Sequence, residues 1–85
     1  MYEYWIIPAG AVKSAENALE VLHSTDDEAR SCARGYYDAI MAGEYDEAWG
    51  LRGPEERELS ADGLQLWRLK KNRHGAIYRA IRLDF

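Results

Sequence analysis

The sequence has few of the residues that cross-link small proteins. It contains one cysteine, two histidines and two prolines among 85 residues. A single cysteine cannot form an internal disulfide, and it is typical of a reducing compartment. Cysteine and histidine pairs at zinc-binding spacing are missing as well, so the sequence predicts neither a metal site nor another cofactor.

Long apolar runs are also missing. The longest covers residues 4–7 and is bounded by Glu3 and Pro8, whereas a membrane-spanning helix needs roughly 20 apolar residues. The beginning of the chain has no basic region followed by an apolar stretch, which a secretory signal would require. We therefore expect a cytoplasmic protein that has no membrane partner.

The residues that are present are typical of one globular domain. Hydrophobic residues make up 47% of the chain and aromatic residues 12%, a composition that favours a folded protein over a disordered one. A chain of 85 residues has no room for two hydrophobic cores. Residues 1–85 are therefore predicted to form a single domain.

Charge is distributed unevenly along the chain, whose formal net charge is −4. Residues 64–85 hold six basic residues against Asp84, a net charge of +5. Residues 1–63 hold five basic and fourteen acidic residues, a net charge of −9. Such a division indicates either a basic surface that binds phosphates or acids, or two halves that neutralise each other in the fold.

Hydrophobic spacing predicts an α+β fold. Residues 2–7 are rich in aromatic and β-branched residues, and both faces are largely apolar, as in a strand that has a neighbour on each side or is covered on both faces. An apolar stripe from Val12 to Leu22 predicts a first helix. His23 would lie in its last turn, where a protonated imidazole interacts favourably with the helix dipole. We therefore interpret His23 as structural rather than metal-binding or catalytic.

A second helix is predicted from Thr25 onwards. Thr25 and Glu28 have the spacing of a capping box, and an apolar stripe continues from there to Met41. Cys32 lies inside this stripe, so we expect a packed small side chain rather than a reactive thiol. Pro54 predicts the first turn of a third, short helix.

The chain closes with two predicted strands, residues 64–71 and 76–85. The residues between them are few and include glycine, so they predict a hairpin. In the second strand, Ile77, Arg79 and Ile81 are expected on one face. The predicted order is β-α-α-α-β-β, with a small antiparallel sheet of about three strands and the helices packed on one face.

The predicted hairpin is the part of the chain best suited to bind a partner. Basic and aromatic side chains are mixed in it, which suits single-stranded nucleic acid, because cations neutralise phosphates and aromatic rings stack on bases. Two other interpretations are open: the aromatic residues are cross-strand core partners, and the cations discourage aggregation of an edge strand. The candidate binding residues are Trp67, Arg68, Lys70, Lys71, Arg73, His74, Tyr78, Arg79 and Arg82.

No catalytic residues are predicted. The acidic clusters occur at predicted helix starts or exposed faces, where capping or solvation explains them. Nothing in the sequence indicates the shared cleft that paired carboxylates need for acid–base chemistry. These acids are instead candidates for contact with a basic partner. They are Asp26, Asp27, Glu28, Glu44, Asp46 and Glu47.

The closing segment resembles a known family. The stretch from Leu66 to Lys70 reads Leu-Trp-Arg-Leu-Lys, and a short glycine-containing turn separates it from Tyr78 and Arg79. This pattern is similar to the C-terminal hairpin of the RelE/ParE toxin superfamily. The opening strand and an apolar helix that reaches Leu22 also fit the strand–helix–helix–sheet layout of that family.

The resemblance implies a toxin that cleaves ribosome-bound mRNA by metal-free general acid–base chemistry. Arg79 corresponds to the strand arginine of the family, and Lys70, Lys71 and Arg73 correspond to the basic residues that hold RNA. The family's final strand, with its catalytic Tyr, His or Arg, has no counterpart after Phe85, and the members that cleave mRNA are generally basic. The resemblance therefore implies the fold more directly than the nuclease activity.

Two functions are expected. The first is a small non-enzymatic regulatory or inhibitory protein, of the kind that phages and mobile elements encode, which binds a protein or ribonucleoprotein partner. Its helix acids would contact a basic surface of that partner. The second is a RelE/ParE-like toxin of a toxin–antitoxin system, which acts on ribosome-bound mRNA or another host target and binds RNA through the hairpin.

Overall fold

The computed structural model describes residues 1–42 and 63–85. In these two ranges the chain forms a four-stranded antiparallel sheet, in the spatial order β2-β1-β3-β4, and one helix. The predicted α+β class is confirmed, but the sheet has more strands than predicted. The third predicted helix, at Pro54, lies outside the described residues. The elements are β1 (Tyr2–Ile7), β2 (Glu20–Ser24), α1 (Asp26–Met41), β3 (Gln65–Lys71) and β4 (Ile77–Leu83).

Strand β1 lies at the centre of the sheet, between β2 and β3. Its residues from Tyr4 to Ile7 are all buried. Tyr4 pairs with Leu22 of β2 on one side and with Arg68 of β3 on the other. Neighbours on both edges and cover on both faces explain why both faces of this strand are apolar, as the sequence predicts.

The prediction of a first helix is wrong. The apolar stripe from Val12 to Leu22 is divided, because residues 11–19 form a loop and the next five residues form β2. The physical reason is the open edge of β1, whose backbone groups need partners, whereas a short helix has little stability of its own. The Leu19 amide donates to the Ile6 carbonyl at 2.7 Å and begins this pairing.

Each face of the sheet is covered by a different part of the chain. Helix α1 packs over one face, where Tyr4, Ile6 and Leu66 form the main core with Ala29 and Ala33 of the helix. The loop before β2 covers part of the other face, so the apolar side chains there are shielded from water without a helix. The smaller cluster on that face consists of Trp5, Ile7 and Leu69, with Ala11, Ala18, Trp67 and Ala80 packed against it.

Helix α1 begins where the sequence predicts. Thr25 is its N-cap, and the Thr25 hydroxyl accepts from the Glu28 amide at 3.3 Å. The Glu28 carboxylate accepts from the hydroxyls of Ser24 at 2.5 Å and Thr25 at 3.3 Å. The Glu28 carboxylate therefore reaches back to the residues before the helix, as in a capping box.

The predicted hairpin of β3 and β4 is confirmed. Its turn is organised by Asn72, whose side-chain oxygen accepts from the amides of His74 at 2.9 Å and Ala76 at 3.0 Å. Gly75 completes the turn with a φ of 83°, a backbone conformation that favours glycine. These hydrogen bonds join residues two and four apart in the sequence, which explains why the turn can be predicted from the sequence.

A register shift divides this hairpin. Arg79 pairs with Lys70, but Ile77 pairs with Lys71, so Tyr78 is an extra residue in β4. Such a bulge changes the alternation of side chains along the strand. The prediction that Ile77 shares a face with Arg79 is therefore wrong.

Candidate interaction surface on the β3–β4 hairpin

The six cationic side chains of β3, β4 and their turn divide into two sets. Arg68 is ion-paired with Asp26 at 2.8 Å, and Lys71 with Glu3 at 2.6 Å. The other four have no carboxylate within ion-pair distance in residues 1–42 and 63–85. We call these four the cationic hairpin surface. They are Lys70, Arg73, Arg79 and Arg82.

Arg68 joins the sheet to the start of α1. Its guanidinium donates to Asp26 at 2.8 Å and lies 4.7 Å from the ring centre of Tyr2. Tyr4 donates its hydroxyl to the same carboxylate. The Tyr4 hydrogen bond and the Arg68 cation hold the pKa of Asp26 below its ordinary value. Burial, together with the neighbouring Asp26, raises the pKa of Tyr4 to about 12.

Glu3 plays the corresponding part on the other face of the sheet. It is a charged residue in a buried strand, and only 10% of its side chain is exposed. Its carboxylate accepts from Lys71 Nζ at 2.6 Å and from Trp5 Nε1 at 2.7 Å, and it lies 3.4 Å from His23 Nε2. Burial raises the pKa of Glu3, but the hydrogen bonds from Lys71 and Trp5 lower it by more, so this pKa lies below its ordinary value.

Glu3 is not among the candidate residues that the sequence predicts, and His23 is predicted only to have a structural role. His23 is predicted at the end of a helix, whereas it lies on β2 and is paired with Glu3 in register. The signal that points to this cluster is a carboxylate within an otherwise apolar strand. A carboxylate with so little exposure needs charged or hydrogen-bonding partners.

The cationic hairpin surface extends over both faces of the sheet. Lys70 and Arg79 are directly opposite each other, on the face that carries α1. Arg82 pairs with Trp67 and therefore belongs to the other face, and Arg73 is exposed in the turn. Like charges directly opposite each other across strands are destabilising, so the Lys70–Arg79 pair does not help the sheet to form.

The two aromatic residues predicted in the hairpin differ in their surroundings. Trp67 pairs with Trp5 of β1, and its Nε1 donates to Gln65 at 2.8 Å. The Lys13 ammonium lies 4.1 Å from the Trp67 ring centre. Tyr78, at the register shift, is 66% exposed. The interpretation of Trp67 as a cross-strand partner is therefore the one that its contacts favour, and Tyr78 is the aromatic residue open to a partner.

A cleft of about 550 Å³ lies beside this surface, at the start of β1. Its volume is in the range of pockets that accept a small molecule or a side chain. Lys71, which is paired with Glu3, lines this cleft together with Lys70 of the cationic hairpin surface and the rings of Tyr2 and Tyr78. The residues that line it are Met1, Tyr2, Glu3, His23, Leu69, Lys70, Lys71 and Tyr78.

The acidic residues at the start of α1 are mostly engaged within the chain. Asp26 accepts from Tyr4 and Arg68, and Glu28 takes part in the cap. The hydrogen bond from Ser24 holds the pKa of Glu28 below its ordinary value. Asp27 is 99% exposed. The remaining predicted contact acids, Glu44, Asp46 and Glu47, lie outside the described residues.

Cys32 is packed, as the sequence predicts. It is half-buried, and its thiol donates to Glu20 Oε1 at 3.5 Å. Burial and the adjacent Glu20 carboxylate raise the pKa of Cys32 to about 11. A thiol with this pKa stays protonated at neutral pH, which makes it a poor nucleophile.

Comparison of the chain with protein-family models, with curated proteins and with solved structures found no match. In the two described ranges, no three side chains of His, Cys, Asp or Glu are grouped so that they could hold a metal ion. The helix in this part of the chain is not long and apolar enough to cross a membrane.

Proposed function

We propose that this protein is a small, cytoplasmic, non-enzymatic regulator or inhibitor that binds a larger protein or ribonucleoprotein complex. The contact surface in this proposal is the cationic hairpin surface. The observation that carries it is the Lys70–Arg79 pair, in which two cations stand directly opposite each other without a carboxylate partner in the described ranges. Such a pair becomes favourable beside an anionic partner.

The contrast with the neighbouring cations supports this interpretation. Arg68 and Lys71 belong to the same strand as Lys70, and both are neutralised by carboxylates of other elements. Lys70 lies between them in the sequence and has no such carboxylate partner in residues 1–42 and 63–85. The free charges are therefore a property of particular positions, not of the whole basic strand.

The hairpin is favoured over the acidic start of α1 as the contact surface. Asp26 and Glu28 already accept hydrogen bonds within the chain, so binding to a basic partner would require them to exchange one partner for another. Such an exchange gives little net free energy. The four cations of the cationic hairpin surface have no carboxylate partner to lose among the residues that the structure describes.

Charge reversal at one position tests the proposal. Arg79→Glu changes the cationic hairpin surface, and Arg34→Glu makes the same change of charge on the exposed side of α1, where the Arg34 side chain is 55% exposed. We expect that Arg79→Glu loses the partner that the wild-type protein captures from a lysate of the expressing cells, and that Arg34→Glu retains it.

Circular dichroism of both variants checks that they remain folded. Treatment of the lysate with nuclease distinguishes a protein partner from one held through RNA. Equal capture by the wild-type protein and the Arg79→Glu variant would contradict the proposal.

A RelE/ParE-like toxin is the second candidate. It is favoured by the position of Arg79, which is exposed and directly opposite Lys70, one of the residues to which the resemblance assigns RNA binding. Induced expression should then arrest growth, and Arg79→Ala should restore it. Normal growth with the wild-type protein folded and abundant would exclude this candidate.

A further inference from the structure

Strand β4 is the outer strand of the sheet, and one of its backbone edges has no partner strand in residues 1–42 and 63–85. Helix α1 packs mainly against β1, β2 and β3. From Arg79 to Leu83, β4 pairs regularly with β3, beyond the register shift at Tyr78. A regular, uncovered edge is a template on which another strand can form backbone hydrogen bonds.

We propose that an acidic, extended segment of the partner protein adds to β4 as a fifth strand. This inference rests on the proposed function and names the class of partner, a polypeptide. Backbone hydrogen bonds to residues 79–83 hold the segment. Carboxylates beside Arg79 and Arg82 select it, because charge-assisted hydrogen bonds to guanidinium groups are stronger than neutral ones.

The positions of the two arginines favour a polypeptide over RNA. Arg79 pairs with Lys70 and Arg82 pairs with Trp67, so the two guanidinium groups belong to opposite faces of the sheet. The side chains of an added strand alternate between the same two faces, and carboxylates three residues apart reach both arginines. A phosphate backbone that follows one face meets the arginine of that face alone.

The same charges disfavour a second copy of this chain. Antiparallel pairing of β4 with itself brings two copies of Arg79 and two of Arg82 to one junction, where the like charges repel each other. An acidic strand has the opposite charge and does not meet this repulsion. The arginines thus act against self-association and in favour of an acidic partner.

The other outer strand, β2, does not carry cationic side chains that could pair with an acidic segment. It is five residues long, and it has no lysine or arginine. Glu20 accepts from Tyr36 at 2.6 Å, and His23 lies beside Glu3. An acidic segment therefore has charge partners at the edge of β4 and not at the edge of β2.

Synthetic peptides test the inference. The parent peptide consists of nine alternating Val and Thr residues in which two positions, three apart, are replaced by Glu, and its matched control has Lys at those positions. Binding to the whole protein is measured by isothermal titration calorimetry. We expect the Glu peptide to bind and the Lys peptide not to bind. The variant Arg79→Gln/Arg82→Gln should weaken binding of the Glu peptide by roughly tenfold.

Two N-methylated versions of the Glu peptide test strand addition itself. One is methylated at odd and the other at even backbone positions, so each loses the hydrogen-bonding groups of one strand edge and keeps both carboxylates. We expect one version to bind like the parent and the other to lose binding. Amide exchange at residues 79–83 should slow when the parent peptide binds.

The possible failures are distinguishable. Equal binding of both methylated peptides would overturn strand addition and leave the proposed function intact, because charge alone would explain the affinity. Binding of a ten-residue oligouridylate, lost in Arg79→Glu, without binding of the Glu peptide would overturn the polypeptide class in favour of RNA. If neither probe binds and Arg79→Glu captures the same partner as the wild type, the inference and the proposed function both fall.

Discussion

The two strands of one hairpin, β3 and β4, contribute to the protein in opposite ways. Strand β3 has a neighbour on each edge, its Leu66 is fully buried, and its Arg68 is ion-paired with Asp26. Strand β4 has one neighbour, and its Arg79 and Arg82 have no carboxylate partner in the described part of the chain. Among these three arginines, the one on the inner strand is paired within the fold, and the two on the outer strand are left for a partner.

Truncation of a core side chain in β3 should give the largest effect. Leu66→Ala removes a side chain that is 0% exposed, and we expect the free energy of unfolding to fall by about 3 kcal/mol. Ile77→Ala in β4, where the side chain is 43% exposed, should cost less than about 1 kcal/mol. Urea denaturation followed by tryptophan fluorescence measures both. Similar losses in the two variants would contradict the contrast between the strands.

Local patterns predicted the hairpin and the start of α1, because their causes are local. The turn at Asn72 and the cap at Thr25 depend on hydrogen bonds between residues two to four apart in the chain. Of the candidate site, the sequence predicted that the basic residues lie on a hairpin. It left open whether Trp67 serves the fold or a ligand, and its contacts with Trp5 and Gln65 favour the fold.

Strand β2 and the division of the cations could not be predicted in this way, because both depend on distant parts of the chain. The stripe from Val12 to Leu22 has helical spacing, and only the open edge of β1 turns its end into a strand. Which cations are paired depends on the final positions of Asp26 and Glu3. Neither position follows from the spacing of residues 64–85.

Removal of the Glu3 charge should give the next largest effect. Glu3→Gln leaves Lys71 and His23 without a carboxylate at a site where the Glu3 side chain is 10% exposed. We expect a loss of about 1–2 kcal/mol in the free energy of unfolding at neutral pH. Lys70→Met, the control, removes a cation without a carboxylate partner among the described residues, and its effect should stay within about 0.5 kcal/mol.

The same substitution should change the response to acid. The pKa of Glu3 in the folded state lies below its ordinary value of 4.5, so the unfolded state binds more protons in that range. The stabilisation is therefore complete above pH 4.5 and is lost as the pH falls through the folded-state pKa. Urea midpoints of Glu3→Gln and the wild type should converge in acid. A constant difference across this range would contradict the assignment.

Tyr4→Phe should give a smaller loss and change the response to alkali. The variant lacks the hydroxyl that donates to Asp26, and we expect a loss of about 1 kcal/mol at neutral pH. Because the pKa of Tyr4 is raised from 10.0 to about 12, this stabilisation is present below pH 10.0 and is lost as the pH rises toward 12. Urea midpoints should therefore converge in alkali, whereas Tyr78→Phe, at an exposed position, should match the wild type throughout.

Two glycine substitutions should give small effects on the free energy of unfolding, of opposite sign in the hairpin and in the helix. Gly75→Ala places a side chain at φ 83° in the turn, which should lower the free energy of unfolding by about 1 kcal/mol. Gly35 lies inside α1, where a Cβ would meet no described atom within 4 Å apart from its chain neighbours and the surrounding helix backbone, so Gly35→Ala should raise it by about 0.5–1 kcal/mol. Urea denaturation of both variants measures the difference. A loss of stability in Gly35→Ala would show that this face of α1 is covered, and the assignment of free surface to the hairpin rather than to the helix would then need revision.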